Sequence, residues 1–377
     1  MKILFIEVGQ FTNKIKSYMK TFRKFGHEVE ASIFSRNTHS TQSLILKFVK
    51  LVRHSRHKKF DIIYSRNPPY TGLLAKCISK LCQSIVVYEC LDDWYAQCDL
   101  LWFDSGLYKT FKVPLLKLVK FLQVINSKNT DLFITVNEII NKQMMERFKL
   151  PKNKTFIVRN LPFEIPQELD SIELTHPSLL FLGTIRPYLG LDVIVNALSY
   201  AKKEIETITL YIVGGTIKDT GYLKEIIELS KKRNVEENIV ITGRLPWITA
   251  LSYVKSADIC LNLFSDYPKY RDTDSLKSFE YMMLGKAIIS ADLPGPRLIF
   301  RNGENAFLVP PDDPYALSKA IIKLSKDSNL RNTLGRQARM DYLEKYNWEQ
   351  TVTKLINTFG RLLMNKLRSN KRILKKS

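Results

Sequence analysis

The sequence predicts an α/β protein with two doubly wound, parallel-sheet domains. Short apolar runs alternate with longer amphipathic segments along nearly the whole chain. That is the pattern of parallel strands covered on both faces by crossover helices. The alternation is broken once, at Leu161–Pro177, a stretch rich in proline and acidic residues, and then restarts. A chain of 377 residues with 45% apolar content can fill two such cores. The expected boundaries are 1–165 and 166–345, with 346–377 forming a closing helix and basic tail.

In the first half, Lys2–Val8 reads as a buried strand and Lys14–Phe25 as a helix with Ile15, Tyr18, Met19 and Phe22 inward. Gly26 stops that helix before a strand at Val29–Phe34. A helix at Leu44–Lys58, a strand at Asp61–Arg66, a helix at Tyr70–Leu81 and a strand at Ser84–Glu89 follow. The last of these runs into Cys90-Leu-Asp-Asp-Trp94, an acidic strand end on the side where an open α/β sheet presents ligands. Pro114–Ile125 reads as a basic amphipathic helix, with Leu115, Leu118 and Leu122 opposing Lys117 and Lys120, and Trp102 and Phe103 upstream. Such a helix suits either a lipid interface or an ordinary domain surface.

The second half begins with a strand at Leu179–Gly183 and a loop at Thr184–Gly190. Helix and strand then alternate at Leu191–Lys203, Ile208–Val213, Leu223–Lys232, Ile239–Thr242, Ile248–Ser256 and Asp258–Phe264. Gly214 and Gly215 permit close backbone approach after a strand. The most informative stretch runs from Asp272 to Asp292. Asp274 or Ser275 can cap a helix. Leu276, Phe279 and Met283 form one apolar stripe, and Gly285 ends the helix. Ala287–Ala291 is a buried strand. Lys277 and Glu280 share one helix face, with Asp272 in the loop before it. Helix N-terminal amides beside an exposed Lys277 make an anion site, and a nearby carboxylate accepts hydrogen bonds from sugar hydroxyls. That combination suits a ribose and a diphosphate. The chain closes with helices near Pro314–Lys326, Leu330–Tyr346 and Trp348–Leu367.

The Asp272–Ile289 segment resembles the signature of the family 4 retaining glycosyltransferases: an acid, seven residues, a glutamate, then a Tyr/Ala-Met-x-x-Gly-Lys run. Phe279-Glu280-Tyr281-Met282-Met283-Leu284-Gly285-Lys286 carries the match, and Asp272 stands where a glutamate is usual. The resemblance extends over most of the chain and implies the glycosyltransferase B fold, two Rossmann-like domains facing across a cleft. It implies an N-terminal acceptor domain and a C-terminal nucleotide-sugar domain, with the last helix crossing back to the first domain.

Carried over residue by residue, the resemblance assigns Glu280 to the ribose, Asp272 to donor-sugar hydroxyls and Asp93 to the region of the acceptor or transferred sugar. The donor diphosphate falls to the Gly183-Thr-Ile-Arg186-Pro-Tyr-Leu189-Gly190 loop, with Gly214, Ser275, Leu276 and Lys277. Arg244 and Leu245 lie where the nucleobase is held. Two positions depart from the family pattern: Thr184 stands for its Arg and Leu189 for its Lys, which leaves Arg186 as the nearby cation. The reaction implied is retaining transfer of a sugar, probable donor a UDP-sugar, with no metal and no cofactor beyond the nucleotide-sugar substrate.

Charge adds a partner. Residues 1–165 carry a formal +14, residues 166–360 carry none, and residues 361–377 carry +7. An acidic surface is expected to meet the basic half. No run of ~18 apolar residues offers a membrane span. The five cysteines have no paired CxxC spacing for zinc and read as reduced thiols. No nucleic-acid-binding motif accompanies the charge. The expectation is a cytoplasmic enzyme, peripheral on the inner face of the cell membrane, acting on a lipid-linked or oligosaccharide acceptor in bacterial lipopolysaccharide or capsule synthesis. The alternatives are a degenerate non-catalytic subunit, a nucleotide-sugar epimerase on the same fold, and a two-carboxylate glycosidase using Asp272 and Glu280.

Overall fold

The structure is a computed structural model that describes residues 1–8, 12–34, 41–66, 70–90, 111–164, 166–215, 221–268 and 270–374. It divides into two compact units, Met1–Arg159 together with Glu349–Ser377, and Asn160–Trp348.

Unit 1 alternates β1 (Lys2–Val8), α1 (Asn13–Lys24), β2 (Glu28–Phe34), α2 (Thr41–Lys58), β3 (Ile62–Arg66), α3 (Tyr70–Cys82), β4 (Ile85–Glu89), α4 (Lys112–Asn129), β5 (Leu132–Thr135), α5 (Glu138–Phe148) and β6 (Thr155–Ile157). The strands form one parallel sheet in the order β2-β1-β3-β4-β5-β6. Strands β3 and β4 are buried at every residue, as expected for a sheet covered on both faces. The winding direction reverses between β1 and β3, which makes that gap the unit's topological switch point. The final helix of the chain, α13 (Trp348–Leu374), belongs mostly to this unit. Phe359 stacks on Phe22 at 6.1 Å, Glu349 accepts from Lys24 Nζ at 2.7 Å, and Lys366 Nζ donates to the Ser84 carbonyl at 2.8 Å.

Helix α4 keeps Lys117 and Lys120 exposed and splits its leucines, with Leu115 and Leu122 half-buried. Leu118 points outward, 51% exposed, and Phe111, Val113 and Phe121 are exposed with it. The buried face is instead Leu116, Gln123, Asn126 and Ser127. Asn126 lies so close to Gly72 of α3 that a Cβ there would come within 2.5 Å of its side chain.

Unit 2 contains β7 (Ser178–Leu182), α6 (Leu191–Ala201), β8 (Thr209–Val213), α7 (Tyr222–Lys232), β9 (Ile239–Gly243), α8 (Trp247–Ser256), β10 (Ile259–Asn262), α9 (Leu276–Met283), β11 (Ala287–Ala291), α10 (Pro294–Arg297), β12 (Phe307–Val309), α11 (Pro314–Lys326) and α12 (Ser328–Lys345). Its parallel sheet runs β12-β11-β10-β7-β8-β9, so the switch point lies between β10 and β7. Strand β12 and helix α10 go beyond the sequence reading; three or four residues are too few to show a period.

Candidate functional site

At the switch point of the second sheet stand Phe181 of β7 and Phe264, just past β10. Between them lies the side chain of Lys277, from the first turn of α9. Its Nζ is 4.7 Å from the Phe181 ring centroid and 5.0 Å from that of Phe264. The residue is only 8% exposed, and Nζ has no hydrogen-bond partner among the described residues. This overturns the expected exposed lysine: α9 is enclosed so fully that every residue from Lys277 to Met283 is buried. Burial pushes the Lys277 amine down to about 7, against the opposing pull of the Glu280 charge.

Glu280, one turn on, is also buried, at 4% exposure. Its Oε1 accepts a hydrogen bond from Trp247 Nε1 at 2.7 Å. Burial raises its pKa, while the Trp247 bond and the Lys277 charge work the other way. The indole is itself held by stacking on Phe163, with centroids 5.4 Å apart. A buried carboxylate and a buried amine therefore share a helix face without pairing, and a third residue engages one oxygen of the carboxylate.

At the start of α9, Asp274 is buried and Leu276 exposed. Ser275 occupies the N-cap position, but its hydroxyl does not cap; Oγ donates to Asn262 Oδ1 at 3.1 Å and shares a hydrogen bond with Ser278 Oγ at 3.0 Å. Leu276 is 43% exposed and so leaves the predicted stripe, whose other members, Phe279 and Met283, are fully buried. Asp272 is half-buried in the preceding loop. That loop rests on Gly295: the Gly295 amide donates to the Arg271 carbonyl at 2.8 Å, and a Cβ on Gly295 would come within 2.5 Å of the Asp272–Thr273 backbone. Tyr270 stacks on Tyr188 with centroids 3.8 Å apart, tying this loop to the Arg186–Gly190 loop.

Arg186 is half-buried, and its guanidinium makes no ion pair or hydrogen bond among the described residues. Leu189 is a core residue, so this position cannot supply a cation. Gly183 (φ +140°) has open space where a side chain would sit, whereas Gly214 (φ +149°) has none: a Cβ there would lie 1.7 Å from the Gly183 carbonyl oxygen. The close approach expected at Gly214 is thus made by the chain itself. Gly190 (φ +67°) caps the start of α6. Arg244 is exposed and Leu245 half-buried just after β9, three and two residues before Trp247. Asp93, with Asp92, Trp102 and Phe103, lies outside the described residues.

Unit 1 buries a second set of charges at its own switch point. Arg66 at the end of β3 pairs with Glu7 of β1 at 3.0 Å and Glu89 of β4 at 2.9 Å. Lys14 of α1 reaches Glu89 at 2.7 Å, and Tyr64 donates to the same carboxylate at 3.1 Å. Burial alone would raise the Glu89 pKa, but Lys14 and Arg66 hold it below the usual range. Sequence reasoning missed this cluster, and with it Trp247, Phe163 and Gly295; each is brought into place by contacts far away in sequence.

Residues 167–341 match the family described as glycosyl transferases group 1. The chain is 25% identical over 242 residues to the "Uncharacterized glycosyltransferase MJ1069" of Methanocaldococcus jannaschii, covering 63% of this chain and 60% of that protein. It is 21% identical over 184 residues to a D-inositol 3-phosphate glycosyltransferase of Xylanimonas cellulosilytica, covering 49% and 42%. The chain thus spans about 60% of the length of the first of these relatives and less of the second. Among solved structures, Anabaena Alr3699/HepE in complex with UDP superimposes with a TM-score of 0.72 at 15% identity, over 96% of this chain and 100% of that one. Sucrose-phosphate synthase from Thermosynechococcus elongatus does so with 0.71 at 15%, over 97% and 100%. Both likenesses show the fold: two Rossmann-like domains of the glycosyltransferase B type.

Proposed function

We propose that this chain, whose residues 167–341 form a glycosyl transferases group 1 domain, is a glycosyltransferase (EC 2.4 class) that moves a sugar from a nucleotide-sugar to a saccharide or lipid-linked acceptor. The observation that carries this reading is the unpaired, buried amine of Lys277 at the switch point of the second sheet, beside Glu280 and in the first turn of α9. A diphosphate supplies the missing counter-charge, and the amides of α9 add to it. Arg186, with no ion pair or hydrogen bond among the described residues, is a further candidate cation, on a loop joined to the Asp272 loop by the Tyr188–Tyr270 stack. With one Glu280 oxygen fixed by Trp247, Oε2 remains for ribose hydroxyls. Asp272 is assigned to the donor sugar, and Asp93 to the acceptor side.

The chemistry we propose is retaining. The leaving diphosphate assists attack by the acceptor hydroxyl on the face it departs from, so the protein's task is to stabilise charge building on that diphosphate. Lys277, Arg186 and backbone amides do so without a metal. A UDP-sugar is the donor we favour; a solved relative of the same fold binds UDP-glucose.

Thermal denaturation with UDP, GDP, CMP and UDP-sugars tests the donor site. A ligand at ~100 times its Kd stabilises by about 2.7 kcal/mol. One nucleotide should raise the melting temperature of the wild type and leave Glu280→Gln unmoved. A folded protein indifferent to all of them would favour a non-catalytic subunit, and product formed from donor alone would favour an epimerase.

For the acceptor we propose a lipid-linked species at an anionic membrane, as in cell-surface polysaccharide synthesis, which makes the protein peripheral on the cytoplasmic face. The support is α4. A helix joining neighbouring parallel strands runs antiparallel to them, so its first turns lie at the edge where β4 ends. There α4 exposes Phe111, Val113, Leu118 and Phe121, interleaved with Lys117 and Lys120. Apolar side chains framed by lysine suit an acidic leaflet, and each nearby cation contributes about 1 kcal/mol. Co-sedimentation with anionic vesicles should be lost in Leu118→Ser/Phe121→Ser. Binding that ignores both lipid charge and salt would refute the membrane part.

A further inference from the structure

Two features of the donor site stand apart from ligand recognition itself. The amine of Lys277 is enclosed, with aromatic faces rather than acceptors around it: Phe181 from β7 and Phe264 from the segment after β10. The charged group that acts on it is Glu280 of its own helix. Yet Glu280 has given Oε1 to Trp247, and no ion pair joins it to Lys277. Phe163, stacked on the indole, holds the arrangement from behind. A cation kept from its natural neighbour in a dry site is costly when charged.

Resting on the donor reading above, we propose that the site takes up a proton together with its nucleotide: the Trp247–Glu280 bond keeps Lys277 unpaired, and the arriving diphosphate is the counter-ion that lets its amine protonate. The proton comes from solvent, is held at Nζ while the diphosphate is bound, and returns when the nucleotide leaves. No bond in the ligand changes. In the empty site the amine titrates near 7, so above neutrality most molecules carry Lys277 uncharged. The diphosphate then restores its charge. Nucleotide affinity should accordingly weaken as pH rises from neutrality, by approaching tenfold per pH unit, while the ligand's own phosphates stay ionised.

The measurement is isothermal titration calorimetry of the whole chain with UDP and with GDP at pH 8, in HEPES and in Tris, whose ionisation enthalpies differ widely. At that pH both nucleotides are fully ionised. The difference in apparent enthalpy should report uptake of about 0.9 proton per nucleotide bound. Lys277→Arg, permanently charged, should bind with no uptake. Lys277→Met should fold at least as well as wild type and lose binding, and the melting temperature of each variant guards against a folding defect in it. Nucleotide binding with no proton taken up, or with one released, would overturn the inference while leaving the donor site intact. Absence of any nucleotide binding would remove the donor reading and this inference with it.

Discussion

The two sheets bury charge at the same topological position and treat it in opposite ways. In unit 1, Glu7, Arg66, Glu89 and Lys14 neutralise one another across the β1–β3 switch point. In unit 2, Lys277 and Glu280 sit one turn apart on α9 at the β7–β10 switch point and do not pair. Both arrangements cost desolvation. The first recovers that cost within the protein and therefore needs no ligand. The second leaves it outstanding, which is the condition under which an anion from outside gains most. Burial of charge alone thus does not mark a binding site; burial without compensation does.

The largest test of this contrast breaks the compensated side. Arg66→Met leaves two buried carboxylates with one lysine between them, and should cost unit 1 about 3–5 kcal/mol, read in urea by a probe specific to that unit. A loss under 1 kcal/mol would mean the cluster is solvated and the contrast false. A smaller effect lies in the pH dependence of unit 2. The folded-state pKa of Lys277 is depressed to about 7 from an ordinary 10.5. Between those values the unfolded chain binds the extra proton, so stability rises with pH across that window and levels off below 7. From pH 7 to pH 9 wild type should gain about 2 kcal/mol over Lys277→Met, in parallel thermal melts without nucleotide; matching curves would count against a neutral amine. Smallest is Trp247→Phe. It removes one hydrogen bond to a buried carboxylate, frees Glu280 to turn toward Lys277, and should weaken nucleotide binding about fivefold, or about 1 kcal/mol. Unchanged affinity and unchanged proton uptake would show that Trp247 is only packing.

Much of the fold was legible because parallel strands buried on both faces are written as contiguous apolar runs, such as Ala287–Ala291 and Ile85–Glu89. Gly285 behaves as its position after α9 suggests, with φ +65°. The errors concern orientation. Lys277 and Glu280 at i, i+3 look like a solvated pair, and nothing local says that strands and α12 enclose their helix. Within α4 the pattern of leucines does not say which of them is covered: Leu118 is exposed while Leu116 is buried, and Asn126 packs against the bare backbone of Gly72. Trp247 stands 33 residues from Glu280, a separation no helical or strand period spans. Gly295 carries no motif, yet it sets the height of the Asp272 loop.

The path of the chain through the units has a consequence for synthesis. Unit 1 is interrupted after Arg159 and resumes at Glu349. Unit 2 is therefore complete in the growing polypeptide before Phe359 exists to cover Phe22. On a ribosome adding about 5–20 residues per second, the helix that covers Phe22 follows β6 by roughly 10–40 s, and that part of the aromatic core of unit 1 stays uncovered meanwhile. The hazard of premature association during synthesis then falls on unit 1 rather than unit 2.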